Sequence, residues 1–387
     1  MNFAERMSRL GTETAFEVLA KAKALEAQGK NVIHLEIGEP DFDTPSNIVN
    51  AAIKSLQNGR THYTPASGIP ELRNAIVDDV RKWRGVATNA ERVVVTPGAK
   101  PIMYFVIIAL VEHGDEVIYP NPGFPIYESV IEFSGAKAVP LPLKEEKGFS
   151  FDIADLQAIV TDKTKLIIIN TPANPTGGIL SKADIEAIAE IARERNIMVM
   201  SDEMYKNIIY EGEHASIMAE PGMEDLTILL DGFSKTYAMT GWRLGFGVMP
   251  EELAEKVTQL MINSNSCTAT FVQDAGVEAL TGPQDACDKM VAEFSKRKEV
   301  IVNGLNELPG ISCIMPKGAF YVFPNAKDVP ISSRDLAARI LNEGHVAALS
   351  GTAFGKYGDG YMRLSYANSI ENIEEGLNRI YKVLKSI

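Results

Sequence analysis

The chain has 387 residues, of which 45% are hydrophobic and 23% are charged, and these fractions are typical of an ordinary globular protein. Its 38 Lys and Arg residues against 51 Asp and Glu residues give a formal net charge of −13, which argues against a nucleic-acid partner. The charge does not exclude anionic small molecules, because a local basic pocket can lie inside an acidic protein.

Cysteine usage and the N-terminal residues favour a reducing compartment. Cys267, Cys287 and Cys313 lie far apart and form no Cys-x-x-Cys pair, so we expect free thiols rather than a disulfide framework. Met1–Leu10 carries no apolar stretch of the kind that secretory signals need. The longest apolar run, Pro101–Val111, is shorter than the roughly 20 residues of a membrane span. We therefore expect a cytoplasmic protein with no membrane partner.

The first predicted element is an amphipathic helix over Thr14–Gly29. Its apolar residues recur at helical spacing and are Phe16, Leu19, Ala20, Ala24 and Ala27. Short apolar runs then predict seven strands, over Arg92–Thr96, Glu116–Tyr119, Ala138–Leu141, Leu166–Asn170, Ile197–Ser201, Thr227–Leu230 and Leu244–Val248. Helical stretches separate several of them, at Pro101–Val111, Pro125–Phe133 and Lys182–Glu194. Such alternation predicts an α/β fold with a mostly parallel central sheet that is covered on both faces.

After about residue 280 the pattern becomes that of a smaller α+β unit. Helices are predicted over Asp285–Leu308, Ser333–Glu343 and Ile370–Leu384. Strands are predicted over Ile311–Met315, over Ala319–Phe323 and near Tyr361–Ser365.

Several common catalytic and cofactor motifs are missing from the sequence. There is no Gly-x-Gly-x-x-Gly after a strand, no phosphate-binding P-loop, no His-Glu-x-x-His and no Gly-x-Ser-x-Gly. The five histidines are far apart in the chain, so we expect no metal site.

Parallel sheets bind ligands beyond the carboxyl ends of their strands, so the loops at those ends matter most. The turn Pro97-Gly98-Ala99-Lys100 leads into a helix whose free N–H groups would suit a phosphate, although a simple connecting turn would look the same. The loop at residues 170–178 contains two prolines and two glycines. This composition fixes its shape and would aim an asparagine side chain at a ligand.

Two further loops carry charged residues. Asp202 directly follows an apolar strand, where a carboxylate is costly unless it is paired. It is either a helix cap or a counter-charge for a cationic ligand group, and Tyr205 lies three residues on. Lys235 follows the next strand and is a candidate for a lowered pKa and Schiff-base chemistry. Arg243 can return a permanent positive charge to the same pocket.

Taken together, these side chains match the groups of pyridoxal 5′-phosphate. A lysine forms an imine with its aldehyde, and an aspartate pairs with its protonated pyridine nitrogen. Asparagine and tyrosine side chains suit its 3′-oxygen. The Gly-containing turn, Ser234 and Arg243 suit its phosphate.

Five ordered motifs resemble those of class I/II aminotransferases of fold type I, and among them the aspartate aminotransferase-like proteins of prokaryotes. The motifs are Gly38-Glu39-Pro40-Asp41-Phe42, Tyr63-Thr64-Pro65-Ala66-Ser67-Gly68, Asn174-Pro175-Thr176-Gly177, Ser201-Asp202-Glu203-Met204-Tyr205 and the segment Ser234 to Gly245 around Lys235. The resemblance spans almost the whole chain. It implies a large cofactor-binding domain over residues 46–280 and a small domain built from residues 1–45 and 281–387.

The resemblance also implies the site residues. Lys235 would bind the cofactor covalently and act as general base and acid in a ping-pong transamination. The cofactor-binding residues would be Gly98, Ala99, Lys100, Phe124, Asn174, Asp202, Tyr205, Ser234, Lys235 and Arg243, with Tyr63 contributed across the interface of a homodimer. The substrate-binding residues would be Gly38, Asn174, Lys100 and Arg363, of which Arg363 would clamp the α-carboxylate.

The substrates implied are a small amino acid and a 2-oxo acid. Lys100 would bind a distal carboxylate, which favours aspartate with 2-oxoglutarate, although it could instead point to solvent. Other specificities remain open, for alanine, aromatic, kynurenine or basic amino acids. A β-lyase or decarboxylase on the same fold is a further alternative. The acidic net charge speaks against a ligand-sensing module of a transcription regulator.

Overall fold

A computed structural model describes all residues from Met1 to Ile387. The α-helices are α1 (Thr14–Glu26), α2 (Ser46–Gln57), α3 (Pro70–Arg84), α4 (Lys100–Leu110), α5 (Ile126–Ser134), α6 (Ile153–Ile159), α7 (Lys182–Arg195), α8 (Glu251–Ser264), α9 (Thr270–Thr281), α10 (Asp285–Asn306), α11 (Ser333–Asn342) and α12 (Ile370–Leu384). The β-strands are β1 (Ile33–His34), β2 (Val93–Thr96), β3 (Glu116–Asn121), β4 (Lys137–Pro142), β5 (Thr164–Asn170), β6 (Met198–Asp202), β7 (Thr227–Gly232), β8 (Gly245–Val248), β9 (Tyr321–Val322), β10 (Val346–Ala347), β11 (Leu349–Ser350) and β12 (Met362–Ser365).

The central sheet has seven strands in the order β2-β8-β7-β6-β5-β3-β4. Only β8 runs antiparallel to its neighbours, and the other four pairings are parallel. The prediction of a mostly parallel sheet is therefore confirmed. All residues of β2, β3, β7 and β8 are buried, as expected for a sheet covered on both faces. The carboxyl ends of β2, β5, β6 and β7 meet at one edge.

Two smaller sheets lie outside the central one. β1, from the N-terminal segment, pairs in parallel with β10, and β11, β12 and β9 form an antiparallel sheet. The largest apolar core runs without a break from central-sheet residues such as Val94 to Ile373 and Val383 of α12. The domain division near residues 46 and 280 stays a prediction. None of the helices combines the length and the apolar composition that a membrane-spanning helix requires.

The structure corrects two expectations about local elements. Ile311–Met315 is not a strand: it makes one isolated bridge, between Ser312 and Asn325. The Asn306 side chain instead forms two hydrogen bonds with the backbone of Cys313: it accepts from the N–H at 2.8 Å and donates to the carbonyl at 3.0 Å. A side chain therefore satisfies groups that a strand partner would otherwise bind.

The second correction concerns the packed face of α1, which ends at Glu26 rather than Gly29. The α1 residues that pack into apolar clusters, two small ones apart from the largest core, are Ala15, Val18, Ala22 and Leu25. Of the predicted face, Phe16, Ala20, Ala24 and Ala27 are exposed. Two apolar stripes run along this helix, and the one with Val18 and Leu25 buries more apolar area than the mostly alanine stripe.

Candidate active site

A cavity of about 510 Å³ opens at the carboxyl-end edge of the central sheet. Loops after β2, β3, β5, β6 and β7 contribute to it, together with the N-terminal segment and β12. It brings together most of the predicted site residues: Gly38, Ala99, Lys100, Phe124, Asn174, Asp202, Tyr205, Ser234, Lys235, Arg243 and Arg363. Gly98 does not line the cavity but lies against the guanidinium of Arg243, which does. Tyr63 does not line it and is 88% exposed.

Lys235 lies three residues beyond the end of β7, and its amine reaches into the cavity. The amine donates a hydrogen bond to the Gly38 carbonyl and lies 5.9 Å from the centre of the Phe320 ring. Burial lowers the pKa of Lys235 to about 8. About a tenth of this amine is therefore unprotonated at neutral pH, far more than for an ordinary lysine, which makes it a more competent nucleophile and proton acceptor.

Asp202 ends β6 beside Asn170, its register partner at the end of β5. Its carboxylate accepts hydrogen bonds from the Tyr127 hydroxyl at 2.6 Å and from the Met204 N–H at 3.2 Å. Burial raises the pKa of Asp202 to about 6, although both hydrogen bonds act in the opposite direction. No lysine, arginine or histidine forms an ion pair with this carboxylate, which is thus a buried anion that lacks a cationic partner.

Side-chain bonds between neighbouring loops hold the polar wall of the cavity. The Asn170 side chain accepts from the Asn174 N–H at 2.8 Å and donates to the Asp202 carbonyl at 3.0 Å. The hydroxyls of Tyr205 and Tyr321 are 2.7 Å apart. Burial raises the pKa of both tyrosines, so both hydroxyls stay protonated and one donates to the other.

The turn before α4 forms a cradle of backbone atoms. Gly98 has φ of +90°, and a Cβ on it would lie 2.1 Å from Nη2 of Arg243. A Cβ on Gly245 would lie 2.4 Å from the Ala99 nitrogen. The first residue of α4 follows Ala99, whose side chain caps nothing, so the free N–H groups of this helix start are open to an anion. Arg243 and Ser234 line the same part of the cavity.

Arg363 on β12 supplies a second positive group and is only 3% exposed. It donates to the Glu36 carbonyl and, at 3.4 Å, to the side-chain oxygen of Asn174. Its Nε has no hydrogen-bond partner, and no carboxylate pairs with it. A buried guanidinium without an anion is an electrostatic cost that a bound carboxylate would relieve.

Lys100 begins α4 at the mouth of the cavity and is half exposed. Its ammonium pairs with Glu13 and lies 5.4 Å from the Phe124 ring centre and 5.8 Å from that of Phe16. The side chain therefore points along the cavity mouth and not freely into solvent. Phe124 packs edge-on against Tyr127 at 5.6 Å.

Four residues that line the cavity or hydrogen-bond a residue lining it were not predicted from the sequence: Glu13, Tyr127, Asn170 and Tyr321. Tyr127 lies three residues after Phe124, in the turn that begins α5, and its N–H donates to the Phe124 carbonyl at 3.1 Å, so the nearness of these two residues in the sequence is a usable signal. A Cβ on Gly38 would lie 2.0 Å from the Tyr321 hydroxyl, so this pairing requires a glycine in the first motif. Nothing in the sequence indicated that contact.

Comparison with known proteins identifies the family. The family described as aminotransferase class I and II matches residues 30–380. Aspartate aminotransferase of Pyrococcus horikoshii is 43% identical over 384 residues, which cover 99% of this chain and 97% of that protein. Aromatic-amino-acid aminotransferase 2 of Thermococcus litoralis is 40% identical over 364 residues and covers 93% of each chain.

A solved structure agrees with these relatives. Aspartate aminotransferase of Thermus thermophilus with maleate superimposes with a TM-score of 0.94 at 34% identity, covering 99% of this chain and 100% of that one. The chain thus belongs to the class I/II aminotransferase family. It is an aminotransferase, and the resemblance noted in its motifs is confirmed. Enzymes of this family use pyridoxal 5′-phosphate.

Proposed function

We propose that this aminotransferase binds pyridoxal 5′-phosphate in the cavity and transfers an amino group between L-aspartate and 2-oxoglutarate. One observation carries the proposal: Lys235, Asp202 and Arg363 place an amine, an anion and a cation around one cavity, and neither charged group has a counter-ion. Buried charges without partners are costly, so a ligand with the opposite charges is expected to bind between them.

The residues present fit this cofactor group by group. The Asp202 carboxylate would pair with the pyridine nitrogen, and Lys235 would bind the aldehyde. The cradle at Gly98 and Ala99, with Ser234 and Arg243, would hold the phosphate. Tyr205 and Asn174 would hydrogen-bond the 3′-oxygen, and the Phe124 ring would cover one face. When bound, the cofactor supplies an electron sink that stabilises negative charge at the substrate α-carbon.

The side chains would divide the remaining work. Arg363 binds the substrate α-carboxylate with its donor fork and so fixes which bond at the α-carbon faces Lys235. The Lys235 amine, with its pKa lowered to about 8 by burial, accepts the α-proton and returns it. The amino acid and the 2-oxo acid occupy the same cavity in turn, which gives ping-pong kinetics.

Lys100 supports an acidic substrate. Its ammonium lies in the same cavity as Arg363, so a dicarboxylate could contact one positive group at each end. The aspartate aminotransferases among the relatives point in the same direction. A second candidate is an aromatic amino acid, because Phe16, Phe124 and Phe354 also line the cavity and one relative is an aromatic-amino-acid enzyme.

We further propose a homodimer with sites at its interface. Tyr63 is 88% exposed although aromatic, and it follows His62, whose carbonyl is held by the Thr270 hydroxyl at 2.7 Å. An anchored backbone that presents an exposed tyrosine is well suited to contact a second subunit.

Steady-state kinetics test the substrate proposal. We expect kcat/KM with 2-oxoglutarate as acceptor to be higher for aspartate than for alanine or phenylalanine. Lys100→Ala should lower the value for aspartate about tenfold, the cost of losing one charge-assisted hydrogen bond, and leave phenylalanine unchanged. Lys182→Ala, at an exposed lysine on α7, is the matched control. A wild-type preference for alanine or phenylalanine would refute the acidic-substrate proposal.

A further inference from the structure

The carboxylate of Glu13 lies inside the cavity and contacts Lys100. Its side chain is 15% exposed, and the Lys100 ammonium is its hydrogen-bond and ion-pair partner. No other side-chain hydrogen bond or ion pair of Glu13 exists. An acid is therefore already bound to the cation that we assign to the substrate's distal carboxylate.

Helix architecture does not explain this acid. Glu13 occupies the N-cap position of α1, where a side chain commonly accepts from the first free N–H groups. Its carboxylate makes no such bond and turns to Lys100 instead. Local helix stability thus gives no reason for the orientation of Glu13, and the contact with the cavity does.

The charge of Glu13 also reaches the rest of the site. Burial lowers the pKa of Lys235 and of Arg363, and the Glu13 carboxylate acts in the opposite direction on both. Glu13 is thus close enough to influence the same groups that would meet a substrate.

We propose that Glu13 determines specificity by holding Lys100 when the substrate has no distal carboxylate and by yielding it when the substrate has one. The inference rests on the proposed function, in which Lys100 recognises an acidic side chain. It adds that one cavity serves two substrate classes, namely acidic amino acids and neutral or aromatic ones.

Each substrate class then leaves the cavity with balanced charge. An acidic side chain replaces Glu13 on the Lys100 ammonium, so one carboxylate is exchanged for another. With an aromatic side chain the Glu13–Lys100 pair stays closed, and no unpaired ammonium is left beside an apolar group. The rings of Phe16 and Phe124 flank Lys100 and give such a side chain apolar contact.

The chain around Glu13 permits the displacement. Gly11 and Thr12, which precede it, are exposed, and the Glu13 carboxylate has no hydrogen-bond or ion-pair partner except Lys100, so its displacement breaks that one pair. Because Lys100 is half exposed, its pair with Glu13 is weak in the way surface ion pairs are. We therefore expect an effect on acidic-ligand affinity of about fivefold and not hundredfold.

The test uses the holoenzyme and two non-reacting probes, maleate and 3-phenylpropanoate, with dissociation constants measured by titration calorimetry. Glu13→Gln should tighten maleate binding about fivefold and should not tighten 3-phenylpropanoate binding, because the Lys100 ammonium then lies beside an apolar group without its anion. Glu17→Gln, an exposed acid one turn along α1 that has no ion-pair partner, is the matched control and should change neither constant. In a Lys100→Ala background, Glu13→Gln should no longer tighten maleate binding.

The other outcomes overturn the proposal in distinguishable ways. Equal tightening of both probes by Glu13→Gln would mean general repulsion of anions and no competition for Lys100. An unchanged maleate constant in Glu13→Gln, alongside weakened binding in Lys100→Ala, would remove the role of Glu13 and leave the acidic-substrate function standing. If Lys100→Ala binds maleate as wild type does, the proposed distal contact fails and the inference fails with it.

Discussion

Tyr127 donates a hydrogen bond of 2.6 Å to the Asp202 carboxylate, and it joins α5 to the end of β6. Burial raises the pKa of Tyr127 well above its ordinary value, so the hydroxyl stays protonated and acts as a donor. The bond stabilises the ionised form of Asp202 in a place where burial favours the protonated form.

Tyr127→Phe should therefore raise the pKa of Asp202 above its value of about 6. A hydrogen bond to a charged group is worth roughly 1.5–3 kcal/mol, so we expect a rise of about one unit or more. When cofactor affinity is measured from pH 5 to pH 8, the pH below which affinity falls should be higher in Tyr127→Phe than in wild type by that amount. Tyr104→Phe, on α4 without a side-chain hydrogen bond, is the control, and an unmoved profile in Tyr127→Phe would contradict the account.

The raised pKa of Asp202 also predicts how the apoenzyme responds to pH. Because the folded protein holds this proton more tightly than the unfolded chain, its stabilising contribution is complete below about pH 4 and is lost as pH rises through about 6. The contribution is on the order of 3 kcal/mol.

Asp202→Asn removes this titration. The midpoint of Asp202→Asn apoenzyme minus that of wild-type apoenzyme should therefore be larger at pH 7 than at pH 4.5. With saturating pyridoxal 5′-phosphate at pH 7, wild type should instead have the higher midpoint, because the ligand supplies the missing cation. Parallel midpoints across this pH range would show that Asp202 is not the buried, unpaired acid described above.

Much of this site could be predicted because the carboxyl ends of parallel strands lie at one edge of the sheet. Asp202, Asn174 and Lys235 each follow a strand that its run of apolar residues makes recognisable in the sequence. The helix Ile370–Leu384 was also predicted at its observed bounds, since its apolar residues recur at helical spacing.

Other features depend on contacts between residues far apart in the chain, which the local sequence pattern does not indicate. β1 and β10 have two residues each, too few for any periodicity, and their pairing joins segments about 300 residues apart. The bond between Tyr205 and Tyr321 spans 116 positions. The segment Ile311–Met315 has the composition of a strand, but the Asn306 side chain binds the backbone N–H and carbonyl of Cys313 at its centre.

Arg84 lies beneath the site in a buried ionic cluster. It is fully buried and donates to Glu203 and to Asp231 at 2.8 Å each. The Arg84 guanidinium holds the pKa of Glu203 well below its ordinary range, against the effect of burial.

Arg84→Leu leaves these carboxylates without that cation and should lower stability by about 3–5 kcal/mol, the cost of removing one partner of a buried pair. Urea unfolding of the apoenzyme at pH 7 measures the loss. Arg81→Ala changes an exposed arginine on the same helix, so its midpoint should match wild type within error. Similar midpoints for both variants would contradict a stabilising role for Arg84.

The central claim is that pyridoxal 5′-phosphate binds covalently through Lys235. Sodium borohydride fixes an imine between a lysine and this cofactor, and peptide mass spectrometry then locates the modified residue. We expect the added mass on the peptide that contains Lys235, and a Lys235→Ala variant should lack it and lose both half-reactions. An added mass on Lys100 or any other lysine, or normal turnover by Lys235→Ala, would contradict the account.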